Sequence, residues 1–127
     1  MEKLLYVMLG GALGSGARWL VGVGVAAKVS SAIPFSTLIV NVVGSYVMGI
    51  VAQHASGNAS FSPEKRAFVA TGLLGGFTTY SAFNQETIDF VNAGAWNSAL
   101  FYAAATAVLC LAAGFAGMAT ARAIAAN

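Results

Sequence analysis

The charged residues of this 127-residue chain leave three long stretches without any charge. Residues 29–63, 67–85 and 90–121 contain no Asp, Glu, Lys or Arg. Since a helix needs about 20 mostly apolar residues to cross a bilayer, each stretch has room for one span. Charged residues make up 8% of the chain, whereas soluble domains carry about 25%. The sequence therefore predicts a small integral membrane protein and argues against a soluble enzyme or a nucleic-acid-binding protein.

The apolar segments and helix signals predict an all-α membrane protein with four transmembrane helices in one domain, residues 1–127. The predicted spans are residues 4–27, 35–53, 66–90 and 99–121. Gly10 and Gly14 have the spacing that lets two helix backbones approach closely in lipid. Ser62 and Pro63 have the residue types of an N-cap and a first helical position, which predicts a helix start there. Four short helices enclose little volume, so we also expect a homo-oligomer.

The middle of the third span is poor helical sequence. Gly75 and Gly76 are followed by Thr78 and Thr79, and glycine costs about 1 kcal/mol relative to alanine in a helix. We therefore expect a helix broken near the membrane midplane, at the two glycines. Irregular backbone at that depth needs cover from protein or from a hydrated cavity. The half-helix ends at such a break can bind anions through N–H groups or cations through carbonyls.

Two polar residues inside predicted spans each allow two interpretations. Asn41 either forms an interhelical hydrogen bond or lines an ion path. Arg18 either reaches the membrane interface or pairs with helix-end carbonyls, or it attracts anions as a functional charge. Glu86 is expected near the end of the third helix, and no acid is expected at the depth of Arg18. Since the catalytic motifs of metalloenzymes, serine hydrolases and phosphate-binding enzymes are absent, no enzymatic activity is expected.

Three motifs resemble those of the Fluc/CrcB fluoride channels. They are residues 10–18 (GGALGSGAR), residues 37–45 (TLIVNVVGS) and residues 75–83 (GGFTTYSAF) with Thr71 and Gly72 before them. The resemblance covers nearly the whole chain. It implies a fluoride-selective channel of the inner (plasma) membrane that lets F⁻ leave the cytoplasm passively. It also implies an antiparallel, dual-topology homodimer with two pores, whose partners are a second copy, fluoride and membrane lipid but no nucleic acid.

The resemblance also implies roles for individual residues. A structural Na⁺ on the dimer axis would be held by the backbone carbonyls of Gly75 and Thr78. Arg18 would set a positive potential in the aqueous vestibule. The pore-lining and fluoride-binding residues would be Asn41, Tyr80, Phe83, Ser81, Thr79, Tyr102 and Thr106.

Tyr80 departs from the family pattern, which usually has phenylalanine at this position. The hydroxyl adds a polar donor and bulk to the ring, so this pore is not expected to conduct at a typical family rate. Two alternatives to a fluoride channel are a small four-helix multidrug or cation exporter and a membrane subunit without transport of its own. An exporter would need an acid embedded in the membrane. As for orientation, the distribution of the positive residues weakly favours cytoplasmic termini.

Overall fold

Helices account for every regular element in the residues that the structure describes. The computed structural model describes residues 1–57 and 61–126, and these contain no β-strand. The elements, in chain order, are α1 (Glu2–Ala26), α2 (Phe35–Gly57), α3 (Pro63–Arg66), a π segment (Ala67–Leu74), α4 (Gly75–Phe77), α5 (Tyr80–Asn92) and α6 (Trp96–Ala125).

Three helices in the described part of the chain are long and apolar enough to cross a membrane, namely α1, α2 and α6. The predicted third span is instead two shorter helical pieces, residues 63–77 and 80–92. At 1.5 Å per residue each piece is about 20 Å long, less than the roughly 30 Å of a hydrocarbon core. Neither piece alone therefore covers the distance that each long helix covers.

Two observed helices extend beyond their predicted spans. Helix α2 continues past residue 53 to Gly57, and α6 begins at Trp96 and ends at Ala125. The link from α5 to α6 is only residues 93–95, and Gly94 takes a positive φ of 74° there. The predicted helix start at Ser62 is confirmed, because its hydroxyl accepts a hydrogen bond from the Lys65 N–H at 3.3 Å. Part of the predicted link before it, residues 58–60, lies outside the described residues.

Glycines bring α1 against the first piece of the broken span. A Cβ atom added at Gly10 would collide with the Phe68 carbonyl, and one at Gly14 with the Leu73 carbonyl. Both glycines are buried. The close helix packing predicted from their spacing is confirmed, and it holds the π segment and α4 along α1.

Helix α2 packs along α6 in the same way. A Cβ atom at Gly49 would collide with the Gly114 carbonyl, and one at Gly117 with the Tyr46 carbonyl. The Tyr46 and Thr120 hydroxyls lie 3.1 Å apart in a hydrogen bond across this contact. The two helices therefore form one closely packed pair.

Candidate functional site

The broken span is interrupted at Thr78 and Thr79, which are extended (φ −83°, ψ 159° and φ −151°, ψ 119°). The prediction of a break is confirmed, but its expected position at Gly75 and Gly76 is wrong, because these residues belong to α4. A glycine can remain helical where another helix packs closely against it. A Cβ atom at Gly76 would lie 2.6 Å from the Gly11 carbonyl oxygen, so only glycine fits this contact with α1. The β-branched threonines that follow favour extended backbone, so the interruption falls on them.

An amide from α2 binds both backbone groups of Thr79. The Asn41 Nδ2 donates to the Thr79 carbonyl at 2.9 Å, and the Thr79 N–H donates to Asn41 Oδ1 at 2.7 Å. The interhelical hydrogen bond predicted for Asn41 is therefore confirmed, and its place in an ion path stays a prediction. A primary amide has two donor hydrogens, and this pair of bonds uses one of them. The second N–H is left for another acceptor.

The hydroxyl of Thr79 caps the helix that follows the break. Thr79 Oγ1 accepts from the Ala82 N–H at 3.2 Å, which satisfies one of the free N–H groups in the first turn of α5. The Ser81 hydroxyl lies 3.3 Å from the same oxygen. The positive end of the α5 dipole is thus placed at the break.

A groove of about 630 Å³ opens between α2 and α6 beside the break. Its polar lining residues are Asn41, Ser45, Thr78, Thr79, Tyr80 and Thr106, and Cys110 and Phe83 are among the others. Thr106 is only 6% exposed. Its hydroxyl has no hydrogen-bond partner among the described residues, so a buried donor lines this groove.

Aromatic rings continue from the groove toward the end of α5. The Tyr80 and Phe83 ring centroids are 5.7 Å apart, and those of Phe83 and Tyr102 are 5.4 Å apart. Tyr80 and Phe83 are spaced i, i+3, so both rings lie on one face of α5. Tyr80 is 77% exposed in the single chain and Tyr102 is 1% exposed. The series therefore leads from an open surface into the interior.

Glu86 is a residue that the sequence did not single out for this region. Its two carboxylate oxygens accept hydrogen bonds from the Thr37 and Tyr102 hydroxyls, each at 2.7 Å. Because hydroxyls of both α2 and α6 bond to this carboxylate, it faces inward between the helices. The sequence predicts Glu86 only as an acid near a helix end, so it does not indicate this inward position. The spacing of Glu86 from Phe83 (i, i+3) places both on one face of α5 and is the signal that could have found it.

The remaining predicted site residues lie around the groove rather than in its lining. Ser81 is exposed and reaches the groove through Thr79, and Tyr102 contacts Phe83 and Glu86. Arg18 is half-buried on α1, one turn after Gly14, which packs against Leu73 and Phe77. The structure thus places Arg18 at the level of the break but outside the groove.

The carbonyl groups predicted to hold a cation are placed by the same interruption. In an unbroken α-helix the Thr79 N–H would bond to the Gly75 carbonyl, but here it bonds to Asn41. Gly75 is exposed in the single chain, and Thr78 leads away from α4 in an extended conformation. The described residues contain no group of three or more His, Cys, Asp or Glu side chains that could hold a metal ion. A cation here would have to use carbonyl oxygens.

Comparison with known proteins matches this chain to one protein family. The family model described as "CrcB-like protein, Camphor Resistance (CrcB)" matches residues 5–118. A protein of Rhizobium meliloti named "Fluoride-specific ion channel FluC" is 43% identical over 124 residues, which is 98% of this chain and 99% of that protein. Proteins of the same name from Caulobacter vibrioides and Sorangium cellulosum are 44% and 40% identical. They cover 96% of this chain and 97% and 96% of their own lengths.

Proposed function

The chain belongs to the CrcB-like family, and we propose that it is a fluoride-specific channel whose ion path follows the groove beside the broken span. It is a multi-pass protein of the plasma membrane and an ion channel, not an enzyme. The observation that carries the proposal is the identity of 40–44% to fluoride-specific channels over almost the full length of both chains.

The groove has the chemistry that a small anion needs. Fluoride is strongly hydrated, so a path must replace lost water with several donors and still release the ion. The second N–H of Asn41 and the hydroxyl of Thr106, which has no hydrogen-bond partner within the described part of the chain, supply donors without a full positive charge. The rings of Tyr80 and Phe83 have positive edges that can face an anion. Thr79, Ser81 and Tyr102 would extend this series of hydroxyls.

A second copy of the chain would complete each path. The break exposes Gly75 and Tyr80, and irregular backbone in the hydrocarbon region must be covered by protein or water. We propose four membrane segments per chain, with residues 63–92 forming the third, and two copies inserted in opposite directions. The two breaks would then meet at similar depth, and each of two pores would receive one aromatic residue from each copy.

The residues at the break fit a structural Na⁺. The carbonyl of Gly75 has lost its helical donor to Asn41, and Thr78 supplies a second carbonyl outside regular helix. Hard cations prefer such oxygen ligands. With two copies, these carbonyls would hold the ion on the dimer axis, where its charge would offset the carbonyl dipoles. Arg18, at the level of the break, would add positive potential to the vestibule.

Ion flux from liposomes tests the channel function. Purified protein is reconstituted into liposomes loaded with potassium fluoride, and efflux is started with a potassium ionophore and followed with a fluoride electrode. We expect fluoride efflux well above that of empty liposomes and no chloride efflux from matched chloride-loaded liposomes. Background fluoride efflux from both the chain and its Tyr80→Phe variant would contradict the proposal.

Labelling tests the arrangement of the two copies. Lys28→Cys in a Cys110→Ser background places one thiol in the link between α1 and α2. A membrane-impermeant maleimide added outside intact cells that express the protein should label about half of it if insertion is dual. Complete labelling or complete protection would contradict dual topology.

Faster fluoride efflux from protein kept in Na⁺ than from protein kept in a large organic cation would support the sodium site.

A further inference from the structure

A second, smaller cleft shares no lining residue with the groove and lies where α1 begins. It has a volume of about 420 Å³ and is lined by Lys3, Phe61, Pro63, Arg66, Ala67 and Thr71. Its walls are the first turn of α1 and the start of the broken span. None of these residues takes part in the ion path proposed above.

The cleft brings together two cations from distant parts of the sequence. Arg66 uses one N–H in a long bond of 3.5 Å to the Ala55 carbonyl, which leaves most of the five donors of its guanidinium. Lys3 and Arg66 are both exposed. Glu64 is the nearby acid, close enough to feel the charge of Lys3, and its carboxylate also bonds to Ser62. The lining of the cleft itself contains these two cations and no acid.

The rest of the lining suits a group that is charged at one end and apolar at the other. Phe61, Pro63 and Ala67 form an apolar wall, and Thr71 adds a hydroxyl farther along the span. On α1, Leu4, Leu5 and Met8 follow Lys3 in sequence and are 57–60% exposed. An anion held by the cations would therefore have an apolar helix surface next to it, at the end of a membrane-spanning helix.

We propose that this cleft binds the headgroup of an anionic phospholipid, with the phosphate between Lys3 and Arg66 and an acyl chain along the exposed leucines of α1. A free phosphate would use the cations but not the leucines, so the lipid accounts for more of the surface. Lysine and arginine at the ends of membrane helices attract anionic headgroups, and arginine forms paired hydrogen bonds with phosphate.

Native mass spectrometry of the purified protein in detergent tests the proposal, with phosphatidylglycerol and phosphatidylcholine of matched acyl chains as probes. The anionic lipid should bind more tightly than the zwitterionic one. A Lys3→Gln/Arg66→Gln variant should bind phosphatidylglycerol about thirty-fold more weakly, given the usual contribution of each cation. Ala67→Phe, which keeps both charges and fills the cleft, should also weaken binding.

Arg122→Gln is the matched control, because Arg122 lies at the same end of the molecule and bonds to Gln53 outside the cleft. It should leave lipid binding unchanged. An equal loss in Arg122→Gln would mean diffuse surface charge and would overturn the proposal. Displacement of the lipid by millimolar inorganic phosphate would overturn it in favour of a free-anion site. Equal binding of both lipids, or unchanged binding in the double variant, would also overturn it. Circular dichroism confirms that each variant is folded.

Discussion

The Asn41 side chain and the Thr79 backbone form a reciprocal pair of hydrogen bonds, 2.9 Å from amide to carbonyl and 2.7 Å from backbone N–H to amide oxygen. The pair replaces the helical bonds that the break removes, because Thr79 cannot form them in an extended conformation. An asparagine in an apolar helix thus makes an interrupted neighbour stable in the membrane.

Asn41→Asp should both destabilise the break and impair conduction. The Nδ2 donor to the Thr79 carbonyl is lost, and an unsatisfied buried group costs about 1–3 kcal/mol. An ionised carboxylate would also repel an anion in the groove. We expect a lower unfolding temperature and fluoride efflux close to that of empty liposomes. Ser45→Ala, one turn along the same face, is the control and should retain efflux; equal loss there would argue against a special role for Asn41.

Tyr80→Phe should raise fluoride efflux without changing stability. Tyr80 is 77% exposed in the single chain, so loss of its hydroxyl removes no buried contact there. The ring edge toward Phe83 remains, while the added polar group and bulk disappear. Stopped-flow efflux from liposomes measures the rate of each protein. A slower variant would mean that the hydroxyl takes part in conduction.

Phe83→Ile should reduce fluoride efflux by about ten-fold or more if the ring edge contacts the ion, an effect of roughly 1.4 kcal/mol. Phe83 lies between the rings of Tyr80 and Tyr102, so the change removes the centre of the aromatic series. Phe115→Ile is the control, since Phe115 lines the same groove and is 69% exposed. Similar losses in both variants would assign the effect to groove shape instead of the Phe83 ring.

Gly14→Ala should destabilise the fold by about 1–3 kcal/mol, the usual cost of overpacking. The added methyl group would collide with the Leu73 carbonyl, which is backbone and cannot move freely. Gly16→Ala makes the same chemical change on the same helix where nothing lies within 4 Å. It should be neutral or slightly stabilising. Thermal unfolding in detergent compares the two, and equal unfolding temperatures would contradict the packing shown here.

Tyr102→Phe should destabilise the inner end of the site. It leaves one Glu86 oxygen without its 2.7 Å hydrogen bond, and a hydrogen bond to a charged group contributes about 1.5–3 kcal/mol. A Tyr102→Phe/Glu86→Gln double variant measures the coupling between the two residues. If the loss of stability in the double variant equals the sum of the losses in the two single variants, the two side chains do not interact.

Much of this fold follows from local features of the sequence. The charge-free stretches predict the apolar helices, and the spacing of Gly10 and Gly14 predicts the contact that both residues make. The interruption was expected at Gly75 and Gly76 because they are weak helix formers, but both belong to α4, where Gly76 packs closely against Gly11. The observed position depends on Asn41, a partner 38 residues away.

Other features depend on contacts that no local pattern specifies. Glu86 resembles a helix-end acid in sequence, and only the approach of Thr37 and Tyr102 shows that it faces inward. The cleft at Lys3 and Arg66 likewise arises from the packing of two helix ends. The π segment was not predicted, since its residues have ordinary helical composition.

The π segment has a consequence for how the length of this chain can change during evolution. A π turn closes its hydrogen bond over one more residue than an α turn, so Ala67–Leu74 holds more residues than an α-helix of equal rotation. If one residue of this segment is deleted, a π turn can become an α turn. The orientations of Arg66 and Gly75 relative to each other then stay the same. The same deletion in α1 would rotate Gly14 by about 100°. Lineages should therefore tolerate single-residue gaps in this segment and not in α1.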